Sequence, residues 1–235
     1  ESSELESPEG QYEFGMCLLN GTGVPRDLKA ARKLIEKSSS KNNLDAYYAL
    51  ARIYKEGLGV KKDFSTAVTL LDNAAKNGLI KAGFQAGMYY LDKGKFKSAY
   101  KSFKSASEFG DADASFQFAM LLKEGKGCSD KKPEVERAAE ILKELSDSLG
   151  YTDAMRELGL IHLKKLMKYT SPKIAFRYLE KAASLGDSVA QFNLGTMYED
   201  GKAIQQDIEK AKYYYNLAAT KGNAEAKARI ASLWF

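Results

Sequence analysis

Small residues recur through this chain at a nearly constant interval, and that interval restricts the possible folds more than any other feature. The steps between them are 36, 36, 32, 40, 36 and 36 residues. Periods of roughly 20 to 50 residues are typical of stacked repeat architectures. The sequence therefore predicts an array of similar units. The series runs through Gly10, Ala46, Ala82, Ala114, Ala154, Ala190 and Ala226.

A second series of alanines fixes the internal plan of each unit. Each of its members precedes the next residue of the first series by 15 residues, and all length variation lies in the other interval. A surface loop absorbs such variation, whereas a packed helix does not. The pattern predicts helix A, a variable loop and helix B in each unit, followed by a tight turn. The second series is Ala31, Ala67, Ala99, Ala139, Ala175 and Ala211.

Capping residues and glycines mark the predicted helix ends. A short oxygen-bearing side chain stands four residues before several second-series alanines, where it can accept hydrogen bonds from the free amides of a first helical turn. These caps are Asp27, Asp63, Ser171 and Asp207. Glycine, which adopts the left-handed conformation at helix ends, closes helix B at Gly78, Gly110, Gly150, Gly186 and Gly222.

The combined pattern resembles the Sel-one-like repeat (SLR), a relative of the tetratricopeptide repeat. The segment from Ala190 to Gly222 carries it fully, with Leu194-Gly195, Tyr198 and Ala218-Ala219 in place. The resemblance implies an all-α, right-handed superhelical solenoid with helix A on the concave side. We expect an acidic leader over 1–8, six helix-pair repeats over about 9–44, 45–78, 79–110, 111–150, 151–186 and 187–222, and a final lone helix over 223–235.

Three units depart from the pattern in the loop between helices A and B. The third lacks the long loop and keeps only Gly94, and the fourth has an extended loop from Cys128 to Pro133. The fifth replaces the loop glycines with Lys164-Lys165-Leu166-Met167. We expect these changes to alter local curvature without changing the fold.

The residues needed for catalysis or metal binding are scarce. His162 is the only histidine, and it occupies a position where other units carry tyrosine or leucine, so we interpret it as a packing residue. Cys17 and Cys128 are too far apart in the repeat register for a disulfide, which predicts two reduced thiols. One histidine and two distant cysteines cannot form a usual zinc site. We therefore expect no enzyme activity, no cofactor and no metal.

The resemblance also implies that helix A positions two, six and nine residues after each anchor face the concave groove. In the middle units these positions are mostly apolar with basic residues beside them, which suits a protein or peptide partner with acidic residues. An alternative is that these side chains pack inside the superhelix. The predicted partner-binding residues are Arg52, Phe84, Met88, Leu91, Phe116, Met120, Lys123, Arg156, Leu160 and Leu163.

Arg156 is the most unusual member of this set. The five other full units carry an aromatic residue at its position, and a guanidinium there offers a bidentate contact to a partner carboxylate. The opposite interpretation is that Arg156 neutralises Asp153 or Glu157 on its own helix.

The sequence favours a non-catalytic interaction scaffold or adaptor. Two alternatives stay open: a regulatory domain cut from a larger enzyme such as a kinase, and a lumenal adaptor of endoplasmic-reticulum-associated degradation. The chain begins at Glu1 without methionine, which favours a processed or partial chain. We expect a cytoplasmic location, although the glycosylation sequon Asn20-Gly21-Thr22 allows the endoplasmic-reticulum lumen or secretion.

The remaining partner classes are less consistent with the sequence. The formal net charge is only +5, and we interpret the lysines around Lys93 to Lys104 as a solvated helix face. We therefore expect no nucleic-acid partner. No segment approaches roughly eighteen consecutive apolar residues, so we expect no membrane span.

Overall fold

The computed structural model describes residues 7–128, 132–201 and 203–233. In these ranges it contains thirteen α-helices and no β-strand, as the repeat spacing predicts. The helices are α1 (Pro8–Asn20), α2 (Leu28–Ser40), α3 (Leu44–Glu56), α4 (Phe64–Lys76), α5 (Ile80–Asp92), α6 (Phe96–Glu108), α7 (Ala112–Glu124), α8 (Val135–Leu149), α9 (Thr152–Leu163), α10 (Pro172–Ser184), α11 (Ser188–Asp200), α12 (Ile208–Thr220) and α13 (Ala224–Leu233).

The chain forms two compact units. Unit 1 comprises Glu1–Phe118 and Gly127–Ser129, and unit 2 comprises Ala119–Lys126 and Asp130–Phe235, so the boundary falls within α7. In unit 1 each helix from α1 to α6 packs against the next, and in unit 2 the same holds from α8 to α13. The predicted all-α array of helix pairs is confirmed by this packing.

The predicted caps of helix B are confirmed. The side chain of Asp27 accepts hydrogen bonds from the amides of Lys29 and Ala30, both at 3.0 Å. Asp63, Ser171 and Asp207 cap α4, α10 and α12 in the same way. Because each cap fixes where helix B begins, it also fixes which face of that helix meets helix A.

Within a helix-pair repeat, the core is built by pairing a small residue on helix A with a large one on helix B. A Cβ atom added to Gly15 would lie 2.7 Å from Ile35 Cγ1, and one added to Gly195 would lie 2.5 Å from Tyr215 Cε1. Ile35 and Tyr215 are both fully buried. The small residue therefore permits the close helix approach, and the large residue fills the space that remains.

The loop of the fifth unit replaces glycine with a strained residue. Lys165 has a φ of 55°, in the left-handed region that glycine occupies in other loops. Of the extended fourth loop, residues 129–131 lie outside the described residues.

The structure describes the two ends of the array in part. Residues 1–6 of the predicted leader lie outside the described range, and α1 begins at Pro8 with Ser7 as its cap. The final helix is α13, whose first turn is capped by Asn223; residues 234–235 again lie outside the described range.

Candidate functional site

All ten predicted partner-binding residues are half-buried in the structure. A side chain that lines an open face is half-buried, because it packs against the protein on one side and contacts solvent on the other. Five of the ten belong to each unit. Unit 1 holds Arg52, Phe84, Met88, Leu91 and Phe116, and unit 2 holds Met120, Lys123, Arg156, Leu160 and Leu163. The continuous apolar floor predicted from them stays a prediction.

Arg156 is held by carboxylates of its own chain. Its Nη1 donates to Asp187 Oδ2 at 2.7 Å and also to Asp153 Oδ1, and its Nε donates to Glu157 Oε1 at 3.3 Å. Lys123 Nζ donates to the other oxygen of Glu157 at 2.6 Å. The two predicted basic residues of unit 2 are thus joined through Glu157.

This network links two neighbouring helices A. Asp187 caps α11 by accepting the Ala190 amide at 2.7 Å with Oδ1, while its other oxygen accepts from Arg156 on α9. Arg156 therefore fixes the start of α11 relative to α9. The structure agrees with the alternative in which Arg156 neutralises Asp153 and Glu157, and it adds Asp187.

The apolar predicted residues also contribute to packing. Leu160 and Leu163 contact the buried cluster that includes Met155, Leu179 and Leu194. Phe84 packs its ring 6.0 Å from that of Phe103, which is fully buried. Each of these residues therefore contributes one side to the core and retains only part of its surface for a partner.

Arg52, on α3, differs from Arg156 because it has no ion pair with any residue in the described ranges. Its Nε is buried without an acceptor, while its terminal nitrogens are not among the buried unsatisfied atoms. Burial raises the pKa of Tyr12, and the Arg52 guanidinium opposes that rise. Arg52 therefore lies within electrostatic reach of α1.

Tyrosines surround Arg52. Burial, with smaller contributions from Tyr48 and Glu56, raises the pKa of Tyr89 to about 12, and Arg52 opposes that rise. Lys55 Nζ lies 4.2 Å from the centre of the Tyr89 ring. We call Tyr12, Tyr48, Arg52, Lys55 and Tyr89 the Arg52 cluster. It combines two cations with three phenols on α1, α3 and α5 of unit 1.

Tyr48 and Tyr89 were not in the predicted set, although signals for both exist. Tyr48 stands two residues after Ala46, at a position already assigned to the groove, and it is 39% exposed. Tyr89 stands seven residues after Ala82, where the other units carry Cys17, Ile53, Leu121, Ile161 and Met197. Tyr89 is the one residue at this repeat position that carries a hydroxyl, so the sequence alone could have singled it out.

The remaining chemistry-bearing residues form no reactive constellation in the described ranges. His162 is half-buried, its Nδ1 accepts the Ser171 amide at 3.3 Å, and burial lowers its pKa. No cluster of three potential metal ligands occurs among the described residues. No disulfide joins Cys17 to Cys128, and no described helix is long and apolar enough to cross a membrane.

Comparison with known families accounts for the periodicity. The family model described as "Sel1 repeat" matches residues 8–43, 44–79, 152–187 and 188–223, which is more than half of the chain. The chain belongs to the Sel1 repeat family. The Arg52 cluster draws four of its five members from the first two matched Sel1 repeats. The third and fourth predicted units fall between the matched segments.

Two curated relatives illustrate the range of Sel1 repeat proteins. "DAP3-binding cell death enhancer 1" of Mus musculus is 33% identical over 183 residues, covering 63% of this chain and 35% of the relative. "Chitin synthase regulatory factor 4" of Schizosaccharomyces pombe is 26% identical over 218 residues, covering 86% of this chain and 34% of the relative. The chain therefore spans about a third of the length of each.

Two solved structures show the same fold. The Escherichia coli antigen c5321, described as displaying an SLR fold, has a TM-score of 0.83 at 23% identity over 97% of this chain and 49% of its own. A Sel1 repeat protein from Oxalobacter formigenes has a TM-score of 0.74 at 24% identity over 96% of this chain and 88% of its own. At these identities the likeness concerns the fold alone.

Proposed function

We propose that this chain is a non-catalytic adaptor that binds an acidic segment of a protein partner at the Arg52 cluster. One observation carries the proposal. Arg52 is a half-buried arginine without an ion-pair partner among the described residues, and it lies within electrostatic reach of Tyr12 and Tyr89. Arg32, Arg156 and Arg229 each pair with a carboxylate of their own chain.

The chemistry of the cluster fits a carboxylate. A guanidinium presents paired N–H donors that match the two oxygens of an aspartate or glutamate side chain. The Tyr89 phenol, with a pKa of about 12, keeps its proton at physiological pH. Tyrosines contribute large contact area at a low cost in conformational entropy, which is why they are common at binding surfaces.

The other predicted residues have supporting roles in this proposal. Phe84, Met88 and Leu91 lie on α5, the helix that carries Tyr89, and offer apolar contacts beside the charged centre. Met120, Leu160 and Leu163 belong to unit 2 and stay a separate prediction. Lys123 and Arg156 are already paired within the chain, so we assign them a smaller share of the binding energy.

The relatives support a role in protein interaction. Their names describe one protein that binds DAP3 and another that regulates chitin synthase. The Sel1 repeats are the part that this chain shares with them, and no described cluster of side chains suggests catalysis. Both lines of support favour an adaptor over an enzyme.

Selection from a random twelve-residue peptide library tests the proposal. We expect the selected peptides to be enriched in aspartate and glutamate. For a selected peptide, Arg52→Gln should weaken binding by about tenfold or more, the effect of one charge-assisted contact. Arg52→Lys should recover only part of the loss, because it restores the charge and not the paired donors.

Lys61→Gln is the matched control. Lys61 is exposed in the loop before α4, outside the cluster, and its removal changes the net charge by the same amount. It should change affinity by less than about twofold, as screened surface charges do. Peptides without acidic enrichment, or equal effects of Arg52→Gln and Lys61→Gln, would contradict the proposal.

A further inference from the structure

A second candidate site lies in unit 1, on residues that the Arg52 cluster does not use. A pocket of about 460 Å³ opens between α4, α5 and α6. Gly83 and Ser102 lie on its facing walls, with Ser98 and Ser105 beside Ser102 on α6. This volume falls within the range of about 300 to 1,000 Å³ that is usual for ligand sites.

The pocket lies where the third repeat has a smaller residue than the other repeats at two positions. Three residues after the helix B alanine it has Ser102, where the other units carry Leu34, Leu70, Leu142, Tyr178 and Tyr214. One residue after the helix A anchor it has Gly83, where the others carry Gln11, Tyr47, Ser115, Met155 and Gln191. Ser102 sacrifices buried contact. Gly83 permits the close approach of α5 and α6, since a Cβ atom there would lie 3.1 Å from Ala106 Cβ.

The pocket hydroxyls are available to a ligand. Helical serines usually satisfy their hydroxyl by donating to a carbonyl of the preceding turn. Ser39, Ser40 and Ser184 do so, at 2.9, 2.7 and 2.7 Å. By contrast, the hydroxyls of Ser98, Ser102 and Ser105 have no hydrogen-bond partner among the described residues.

Two unpaired cations accompany these hydroxyls. Lys76 on α4 and Lys101 on α6 line the pocket, and neither has an ion pair within the described part of the chain. The carboxylate in the lining, Asp72, accepts the Tyr90 hydroxyl at 3.1 Å. Burial raises its pKa, and the Tyr90 hydrogen bond and the nearby Lys76 ammonium oppose that rise. Phe109, which is 65% exposed, adds an apolar surface at the edge.

We propose that this pocket binds a phosphomonoester, with its oxygens accepting from Ser98 and Ser102, one helical turn apart, and its charge offset by Lys76 and Lys101. A phosphomonoester carries close to two negative charges and three strong acceptor oxygens at neutral pH. The serine hydroxyls supply donors to these oxygens, and the two ammonium groups supply positive charge, part of which Asp72 offsets. The volume beyond the phosphate accommodates the group that carries it, whether a small metabolite or a phosphorylated side chain.

Isothermal titration of the full chain with O-phosphoserine tests this site, with unmodified serine as the control ligand. O-phosphoserine should bind and serine should not. Ser102→Leu places in the pocket the residue that three other units carry there, so it should fill the site without harming the fold. We expect it to weaken O-phosphoserine binding by about tenfold or more, with an unchanged or higher melting temperature.

Lys101→Gln and Lys97→Gln form a matched pair on α6. Lys101 lines the pocket, whereas Lys97 is exposed and outside it. Only Lys101→Gln should weaken binding by about tenfold. Absence of O-phosphoserine binding, unchanged binding in Ser102→Leu, or equal losses in the two lysine variants would each overturn the proposal.

A further comparison distinguishes the two sources of the phosphate. An alanine-flanked phosphoserine peptide that binds at least about tenfold more tightly than O-phosphoserine identifies a phosphorylated protein as the source. Equal or weaker peptide binding identifies a small phosphorylated molecule. Either result retains the phosphomonoester site, and neither bears on the acidic-peptide proposal, since Arg52→Gln leaves this pocket intact.

Discussion

At the scale of single residues, two arginines on helices A have opposite environments. Arg156 pairs with Asp153, Glu157 and Asp187, whereas Arg52 pairs with no described carboxylate. Arginine in a helix therefore has two uses in this array. Arg156 positions the next repeat, whereas Arg52 keeps its guanidinium N–H donors for a binding partner.

Replacing Arg156 should destabilise unit 2. The Arg156 side chain is only 20% exposed and that of Asp187 only 10%, so the pair is poorly screened by solvent. Arg156→Ala leaves Asp153, Glu157 and Asp187 close together without their shared cation. We expect a loss of about 1 to 3 kcal/mol in the free energy of unfolding, measured by urea denaturation.

Arg137→Ala is the control for this prediction. Arg137 donates to Glu134 at 3.2 Å, but its side chain is 45% exposed, and surface pairs contribute about 0 to 1 kcal/mol. If Arg156→Ala and Arg137→Ala have equal effects on stability, the network does not hold α9 to α11.

The sequence predicted the position of Arg156 and its partners on the same helix, but not its third partner, Asp187. Its departure from an aromatic residue was visible, and so were Asp153 and Glu157 on the same helix. Asp187 lies 31 residues away, and its double role as helix cap and ion-pair partner depends on how α9 and α11 pack. Side-chain geometry across a repeat boundary does not follow from periodicity.

At the scale of helices, the sequence was most informative. A constant interval between alanines fixes the length of the turn between helix B and the next helix A, and capping residues fix where helix B begins. The lining of the pocket was also implicit, because Ser102 departs from five large equivalents. The cavity itself could not be predicted, since it depends on how α4, α5 and α6 pack against one another.

Hydroxyl–carboxylate contacts recur between neighbouring helices. Tyr54 on α3 donates to Glu36 on α2 at 3.2 Å, and Tyr90 on α5 donates to Asp72 on α4 at 3.1 Å. In both cases the tyrosine follows the acid by 18 residues. In these two repeats the tyrosine of the motif therefore binds helix A to the helix B before it.

The final helix is held by a related contact. Glu199 on α11 accepts from Tyr215 on α12 at 2.6 Å and from Arg229 Nε on α13 at 2.9 Å. The hydrogen bonds from Arg229 lower the pKa of Glu199 below its ordinary value of 4.5. A carboxylate with a lowered pKa stabilises the folded state above its unfolded value and loses that contribution as the pH falls through its folded value.

Glu199→Gln should therefore loosen α13 in a pH-dependent manner. At pH 7 we expect faster hydrogen exchange in α13 than in the parent chain. The difference should narrow as the pH falls below 4.5, once rates are corrected for the intrinsic effect of pH. Glu209→Gln, at an exposed site on α12, should leave α13 unchanged at every pH. A difference that persists undiminished in acid would contradict this assignment.

At the scale of the whole chain, the order of packing determines how stability is distributed. In unit 1 each helix packs against its neighbours in sequence, and the buried residues form successive clusters. In such arrays stability is approximately a sum of repeat terms and nearest-neighbour interfaces. A substitution that destabilises one repeat should therefore leave the stability of distant repeats unchanged.

Ile35→Ala tests this distribution within unit 1. Ile35 is fully buried against Leu19, Leu50 and Ile53, so its truncation should cost about 2 to 5 kcal/mol. Because that cluster is built from α1, α2 and α3, hydrogen exchange should accelerate in these helices and remain unchanged in α5 and α6. In a single cooperative globule, every helix of the unit would instead lose protection together. Equal acceleration from α1 to α6 would show that the unit unfolds as one body, and the nearest-neighbour description would then fail for this chain.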